Sequence, residues 1–301
     1  IALGLLVAAL TIFPAVSSGE GDVPPKAFET PDALVEAMVA AAKSNDDEAM
    51  KTLVGSKHAD LVQPGGDPTV AKVRAEFAAT AAEFKMLEDN EDGSKTLVIG
   101  DNRWPYPVPL VKSDAGWTLD VEAGRDEMLA RRIGRNELDA IKLVNAYVRA
   151  QKAYASKDRD GDGVREYAQK VRSTEGEKDG LYWPEGEDGE VSPFGPLVAS
   201  AKEYLQDRTA KDPVGGYYWR ILTGQGSLAP GGCHSYVING NMIAGFALIG
   251  FPADYRKTGV MTFLVSHHGD VLEKDLGEDT AAIASSVDYY NPDDQWQKVE
   301  D

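Results

Sequence analysis

The sequence predicts an α+β fold in two modules, and two observations carry that prediction. Helical periodicity fills residues 30–84 and then gives way to short strand-like runs ending near residue 121. A longer helical pattern over 124–157 is followed, after polar chain, by four apolar runs between 216 and 274. Helices first and a meander second mark one α+β module; a long helix before an antiparallel sheet marks the other.

The elements follow in order. Thr30-Pro31 places an N-cap before a proline at the first helical position, and Leu34, Val35, Met38, Val39 and Ala42 recur at helical spacing through Ser44. Asp46 caps a second short helix, Asp47 to Val54, that stops at Gly55. Asp67-Pro68 repeats the first device and opens a third helix carrying Val70, Val73, Phe77, Ala81 and Phe84. Thr96 to Ile99, Val108 to Lys112 and Trp117 to Val121 read as strands, separated by turns containing Gly93 and Gly116. The prolines at 105, 107 and 109 remove ladder donors, so Trp104 to Pro109 reads as an edge or extended polyproline stretch. The pattern over 124–157 predicts a long helix with a break at Gly134. Its second half, Asn136 to Ser156, carries Leu138, Ile141, Leu143, Val144, Tyr147, Val148 and Tyr154. Gly216 to Leu222, Ile243 to Phe251, Val260 to Val265 and Val271 to Lys274 read as strands, and Asp279 to Val287 as a short helix.

The chain has 301 residues, 43% hydrophobic and 27% charged, which is long enough for two cores. Asp and Glu number 49 against 31 Lys and Arg, a formal charge of −18. Such a chain repels phosphate backbones and anionic headgroups, so nucleic-acid and membrane-surface roles are disfavoured. Residues 1–16 are apolar but for Gly4, Thr11 and Pro14, and small residues and a polar stretch follow to Pro25. This looks like the h-region and cleavage zone of a secretory signal peptide. The run is shorter than the roughly 20 residues of a membrane span, so no stable span is expected after cleavage. The expected location is periplasmic or secreted, and the expected division is a signal peptide and linker (1–25), a first module (26–130) and a second (131–301).

Asp158-Arg-Asp160-Gly-Asp162-Gly163, with Glu166 beyond it, is the sharpest local signal. Calcium takes six to eight hard oxygens, and alternate residues of a turning loop aim carboxylates at one point. Asp158, Asp160 and Asp162 stand at positions 1, 3 and 5 of such a loop and Gly163 at position 6. Gln169 replaces the bidentate Glu at position 12, and Glu166 compensates in part from position 9. The competing reading is a solvated acidic turn, which Asp and Gly favour unaided. Cys233-His234 lies in the glycine-rich Pro230-Gly-Gly-Cys-His-Ser235. A thiol-based site needs an imidazole beside the thiolate and a group to orient it, a geometry sequence neighbours seldom reach. His267-His268-Gly269-Asp270 resembles a hairpin tip more than a metal site, since adjacent histidines in a strand point to opposite faces and cannot easily ligate one ion.

Several segments together resemble a bacterial family known as domain of unknown function 2950. They are Asp101-Asn-Arg-Trp104-Pro-Tyr-Pro-Val-Pro-Leu110, Arg131-Arg-Ile-Gly-Arg-Asn-Glu137, Gly215-Gly-Tyr-Tyr-Trp-Arg-Ile-Leu-Thr-Gly-Gln225 and Gly259-Val-Met-Thr-Phe-Leu-Val265. The resemblance covers nearly all of residues 27–298 and implies no established activity. Asn136-Glu137 heading a helix that ends Ala150-Gln-Lys-Ala-Tyr154, with Gly216-Tyr-Tyr and Thr258-Gly-Val-Met-Thr-Phe263, is similar to the helix and sheet of type II secretion pseudopilins. Some heads of that family hold calcium, although a pilin helix is fused to a membrane helix whereas here it follows a folded module. The first module is similar to NTF2-like or cystatin-like cone folds, an analogy that carries no function by itself.

These readings converge on an exported accessory protein of the cell envelope, a non-catalytic binding or assembly module with a structural calcium loop and an envelope protein or glycan as partner. The alternative is a periplasmic hydrolase-type enzyme, its site in the cavity of the first module or around Cys233 and His234.

Overall fold

The structure, a computed structural model, describes residues 22–159, 161–184, 189–195 and 212–300. Its class is α+β. The chain divides into two compact units that meet in sequence between Leu129 and Ala130.

The first unit opens with α1 (Pro31–Ser44), α2 (Asp47–Val54), a 3-10 turn (Ser56–Leu61) and α3 (Pro68–Glu83). Each α-helix starts where a short polar side chain satisfies an orphan amide. Thr30 Oγ1 accepts from Ala33 N at 3.2 Å, Asp46 Oδ1 from Ala49 N at 3.0 Å and Asp67 Oδ1 from Thr69 N at 2.7 Å. The strands β1 (Lys85–Asp89), β2 (Lys95–Ile99), β3 (Trp104–Pro105), β4 (Leu110–Ser113) and β5 (Gly116–Leu119) follow. They pair antiparallel in the order β1-β2-β4-β5, with β3 also on β2. The proline-rich segment supplies only the two residues of β3, as the missing donors require. Leu34, Met38, Phe77, Leu97, Ile99 and Leu110 meet in the core between helices and sheet. Arg74 is buried against that core. Its Nη1 donates to Asn45 Oδ1 (2.7 Å) and Asp47 Oδ1 (2.6 Å), and its Nη2 to Gln63 O (2.6 Å), which ties the α1–α2 junction to the loop before α3.

Helix α4 (Val121–Tyr154) runs without interruption through Gly134, where the sequence predicts a break. One glycine lowers helix propensity by only about 1 kcal/mol, which neighbours such as Arg131, Glu137 and Leu138 outweigh.

In the second unit come β6 (Tyr217–Leu222), β7 (Gly224–Gln225), β8 (His234–Ser235), β9 (Val237–Ile238), β10 (Asn241–Met242), β11 (Ala247–Pro252), β12 (Met261–Ser266), β13 (Val271–Asp275), α5 (Thr280–Ser285) and β14 (Gln297–Lys298). The main sheet is antiparallel in the order β14-β13-β12-β11-β6, and β7–β8 and β9–β10 form two small hairpins. All six residues of β11 and five of six in β12 are buried, so both faces of these strands are covered. Val144, Tyr147 and Tyr154 of α4 share that core with Phe246, Ile249 and Phe263. Strand β11 starts at Ala247 rather than Ile243, because Gly245, at φ 141, turns the chain ahead of it. Within β11, Gly250 faces Trp219 in register, and a Cβ there would lie 2.2 Å from the indole. The missing side chain lets the ring lie across the strand. Among the described residues no helix is long and apolar enough to cross a membrane.

Candidate functional site

The acidic loop follows directly from the end of α4. Arg159 turns back so that its Nε donates to Tyr154 O at 3.1 Å, closing the helix with a cation where the dipole favours one. Gly161 and Gly163, at φ 78 and 89, then let the chain coil around the Asp158 carboxylate, which accepts from Gly161 N at 2.8 Å and Gly163 N at 2.9 Å. Asp162 Oδ1 accepts from Val164 N (2.7 Å) and its Oδ2 from Asn241 Nδ2 (2.6 Å). Glu166 Oε2 accepts from Met242 N at 2.8 Å, and Gln169 Nε2 donates to Gly240 O at 2.6 Å. Three side chains of the loop region thus hold the β9–β10 hairpin, and an isolated bridge between Tyr167 and Met242 completes the seam. Asp160 lies outside the described residues. Among the described residues no group of three or more His, Cys, Asp or Glu is placed to hold a metal ion.

Around Cys233 and His234 the fixed point is a glutamine. Gln225 is buried; its Nε2 donates to Pro230 O (2.6 Å) and Gly232 O (2.8 Å), and its Oε1 accepts from Tyr236 Oη (3.0 Å). The glycine-rich turn is wound on that amide, with Cys233 exposed on the outside and His234 Nδ1 3.2 Å from Gly232 O. Sequence reasoning missed this role, because a glutamine at the end of an apolar run gives no sign of being buried.

His267 and His268 occupy the turn between β12 and β13, as the hairpin-tip reading expects, and there their rings sit 4.2 Å apart at 36° instead of on opposite faces. Tyr236 stands edge-on to both His234 (5.6 Å) and His267 (5.7 Å), and His268 stacks on His267, so three of the four histidines fall in one cluster. His267 Nδ1 is buried with no hydrogen-bond partner among the described residues. Burial, followed by the nearby His268 and His234 and then Lys152, holds the His267 imidazolium below its ordinary 6.5.

The first unit contains an apolar cavity of about 20 Å³ beside Met38, Met50, Leu53, Phe77, Tyr106 and Leu119. That is room for about one water. Tyr106 supplies the one polar side chain of the lining, and burial pushes its phenol well above the ordinary range. No acid–base pair converges there, as general acid–base chemistry requires.

A second polar junction lies on α4. Glu137 Oε1 accepts from Val260 N (2.8 Å) and Met261 N (3.0 Å), and Asn136 Nδ2 donates to Thr258 O (2.8 Å). Burial and the charge of Glu137 push the Glu273 carboxyl up. Three of the segments singled out in the sequence meet here at close range. A Cβ on Gly259 would lie 2.2 Å from Tyr217 Oη, and one on Gly216 would lie 2.7 Å from Asn136 Nδ2.

A family model described as protein of unknown function, DUF2950, matches residues 25–299. The chain belongs to the DUF2950 family. Comparison with curated proteins and with solved structures returns no match. In this DUF2950 chain the glycines and polar side chains of the shared segments therefore have a structural reading. Gly216, Gly259, Asn136 and Glu137 set the close approach of α4, β6 and the β11–β12 loop.

Proposed function

We propose that this chain is an exported accessory protein of the cell envelope, periplasmic or secreted, acting as a non-catalytic binding or assembly module. In this reading its first unit is an NTF2-like or cystatin-like cone, and its second a pilin-head-like helix on an antiparallel sheet. The observation that carries it is the clamped β9–β10 hairpin. Ile238 and Ile243, one on each side of the turn, remain 46% and 43% exposed. Glu166 and Gln169 meanwhile fix the backbone at Met242 and Gly240, and Asp162 holds the Asn241 side chain. Rigid presentation of apolar side chains suits a docking element, since a loop already held in place loses little entropy on binding. The polar side chains richest in chemistry, Gln225, Glu137 and Gln151, are engaged in holding chain to chain.

The same reading makes the acidic loop a calcium brace, with Asp158, Asp160, Asp162 and Glu166 as oxygen donors and the ion bridging loop to hairpin. Calorimetric titration with calcium, with thermal melts alongside, tests it. Saturable heat and a raised Tm, both lost in Asp162→Ala, are the expected result. No heat and no shift at several millimolar calcium would leave the loop a hydrogen-bonded turn. The module would then be braced by Asn241 and Met242 alone. An Ile238→Asp, Ile243→Asp double variant tests the docking element separately: it should fold with an unchanged Tm and lose association with the envelope fraction. Retained association would overturn the docking role.

A further inference from the structure

We propose that His234, His267 and His268 form an acid-sensitive latch that holds β8 to the turn between β12 and β13. The three imidazoles come from two segments far apart in sequence and are joined through Tyr236, whose ring touches His234 and His267 edge-on. His268 stacks on His267 from the same turn. Phe246 covers His267 from the chain before β11, with ring centroids 6.3 Å apart. Gly245 approaches so closely that a Cβ there would lie 2.7 Å from His267 Nδ1 and 2.8 Å from the Tyr236 ring. Nδ1 has no hydrogen-bond partner among the described residues, and the Phe246 backbone, which favours the charged ring, is outweighed by burial and by His268 and His234.

The groups that face this cluster offer little to a cation. Helix α4 contributes Lys152, itself positive. The Tyr290 phenol, hydrogen-bonded to Ser266, is neutral and pushed up by burial. The carboxylate of the turn, Asp270, pairs with Lys298 at 2.6 Å. Protonating His267 thus adds charge beside Lys152, His268 and His234 in a partly desolvated place. A histidine held neutral by the fold binds fewer protons folded than unfolded. Its stabilisation is complete above 6.5 and is lost as pH falls through the lowered folded value. What opens first is the contact of β8 with the turn, because the main sheet behind it carries none of the three rings.

Hydrogen exchange of the full chain at about pH 7.5 and about pH 5, corrected for intrinsic rates, tests the latch together with NMR titration of the imidazoles. Peptides covering 224–238 and 266–271 should lose protection about tenfold at the acid pH, while β11 stays protected. His267→Gln should abolish the acid loss. Should that variant not fold, His268→Asn and Lys152→Gln decide, both being changes at exposed positions. Each should raise the His267 titration point and reduce the acid loss by about half. A His267 that titrates at or above 6.5, or an acid loss unchanged in the two surface variants, overturns the proposal.

Discussion

Gln151 and Ala168 exchange a complete pair of hydrogen bonds: Gln151 Nε2 donates to Ala168 O at 2.8 Å, and Gln151 Oε1 accepts from Ala168 N at 2.8 Å. Both residues are buried. A side-chain amide on α4 here does for the returning chain what a neighbouring strand does in a sheet. Gln151 Nε2 also reaches Tyr147 Oη at 3.0 Å, and that hydroxyl donates to Ala247 O at 3.3 Å. One glutamine therefore links the segment after the acidic loop, through α4, to strand β11.

Gln151→Leu keeps the volume and removes both partners of Ala168, leaving a buried N–H and C=O unanswered. The expected loss is about 2–4 kcal/mol, the penalty of two stranded backbone groups less the gain in apolar burial. Chemical denaturation followed by tryptophan fluorescence measures it. A loss under about 1 kcal/mol would mean that water or a shifted chain satisfies Ala168. Tyr147→Phe, which removes the hydroxyl's bonds to Gln151 Nε2 and Ala247 O but leaves the Ala168 pair intact, should cost about 1 kcal/mol.

Gly134→Ala should stabilise the chain. The position lies inside an unbroken helix, and a Cβ built there meets nothing within 4 Å. Alanine in a helix interior is better than glycine by about 0.5–1 kcal/mol, so thermal melts should shift upward by a few degrees. A downward shift would show that the helix needs a glycine at 134 after all.

That glycine also illustrates which parts of the fold were legible. Thr30-Pro31, Asp46 and Asp67-Pro68 announce helix starts because capping is chemistry between near neighbours, and all three caps form. Tyr217–Leu222, Met261–Ser266 and Val271–Asp275 fall within a residue of the apolar runs that suggest them, and Met261–Ser266 is the clearest because burial on both faces leaves continuous hydrophobic sequence. β1 was not visible: Lys85-Met-Leu-Glu-Asp89 carries three charges, as an edge strand tolerates. The hairpins β7–β8 and β9–β10 are two residues per strand, too short for any periodicity. At the candidate sites the spacing of Asp158, Asp162 and Glu166 was readable. Their attachment to Asn241 and Met242 was not, because it spans more than seventy residues. The gathering of His234 with His267 and His268 is hidden for a similar reason, since more than thirty residues separate His234 from that hairpin tip.

Glu190 predicts the acid behaviour of the chain after α4. Its Oε2 accepts from Lys178 Nζ at 2.7 Å, and its Oε1 from Arg159 Nη1 at 2.8 Å and Lys157 Nζ at 3.0 Å. Lys178, then Arg159 and Lys157, hold its carboxyl at about 2, against an ordinary 4.5. A carboxylate whose folded value is depressed binds fewer protons folded than unfolded. Its stabilisation is present above 4.5 and is lost as pH falls through about 2. The side chain is 27% exposed, so screening by water trims the effect to about 1–2 kcal/mol. Glu190→Gln should lower stability by about that amount at neutral pH and flatten the fall in Tm between pH 4.5 and about 2. Glu48→Gln, which breaks the surface pair with Lys51, should leave the profile unchanged. An acid profile of Glu190→Gln that parallels the wild type would show that Arg159 and Lys178 are held by packing on Tyr154 and Trp183 rather than through this carboxylate.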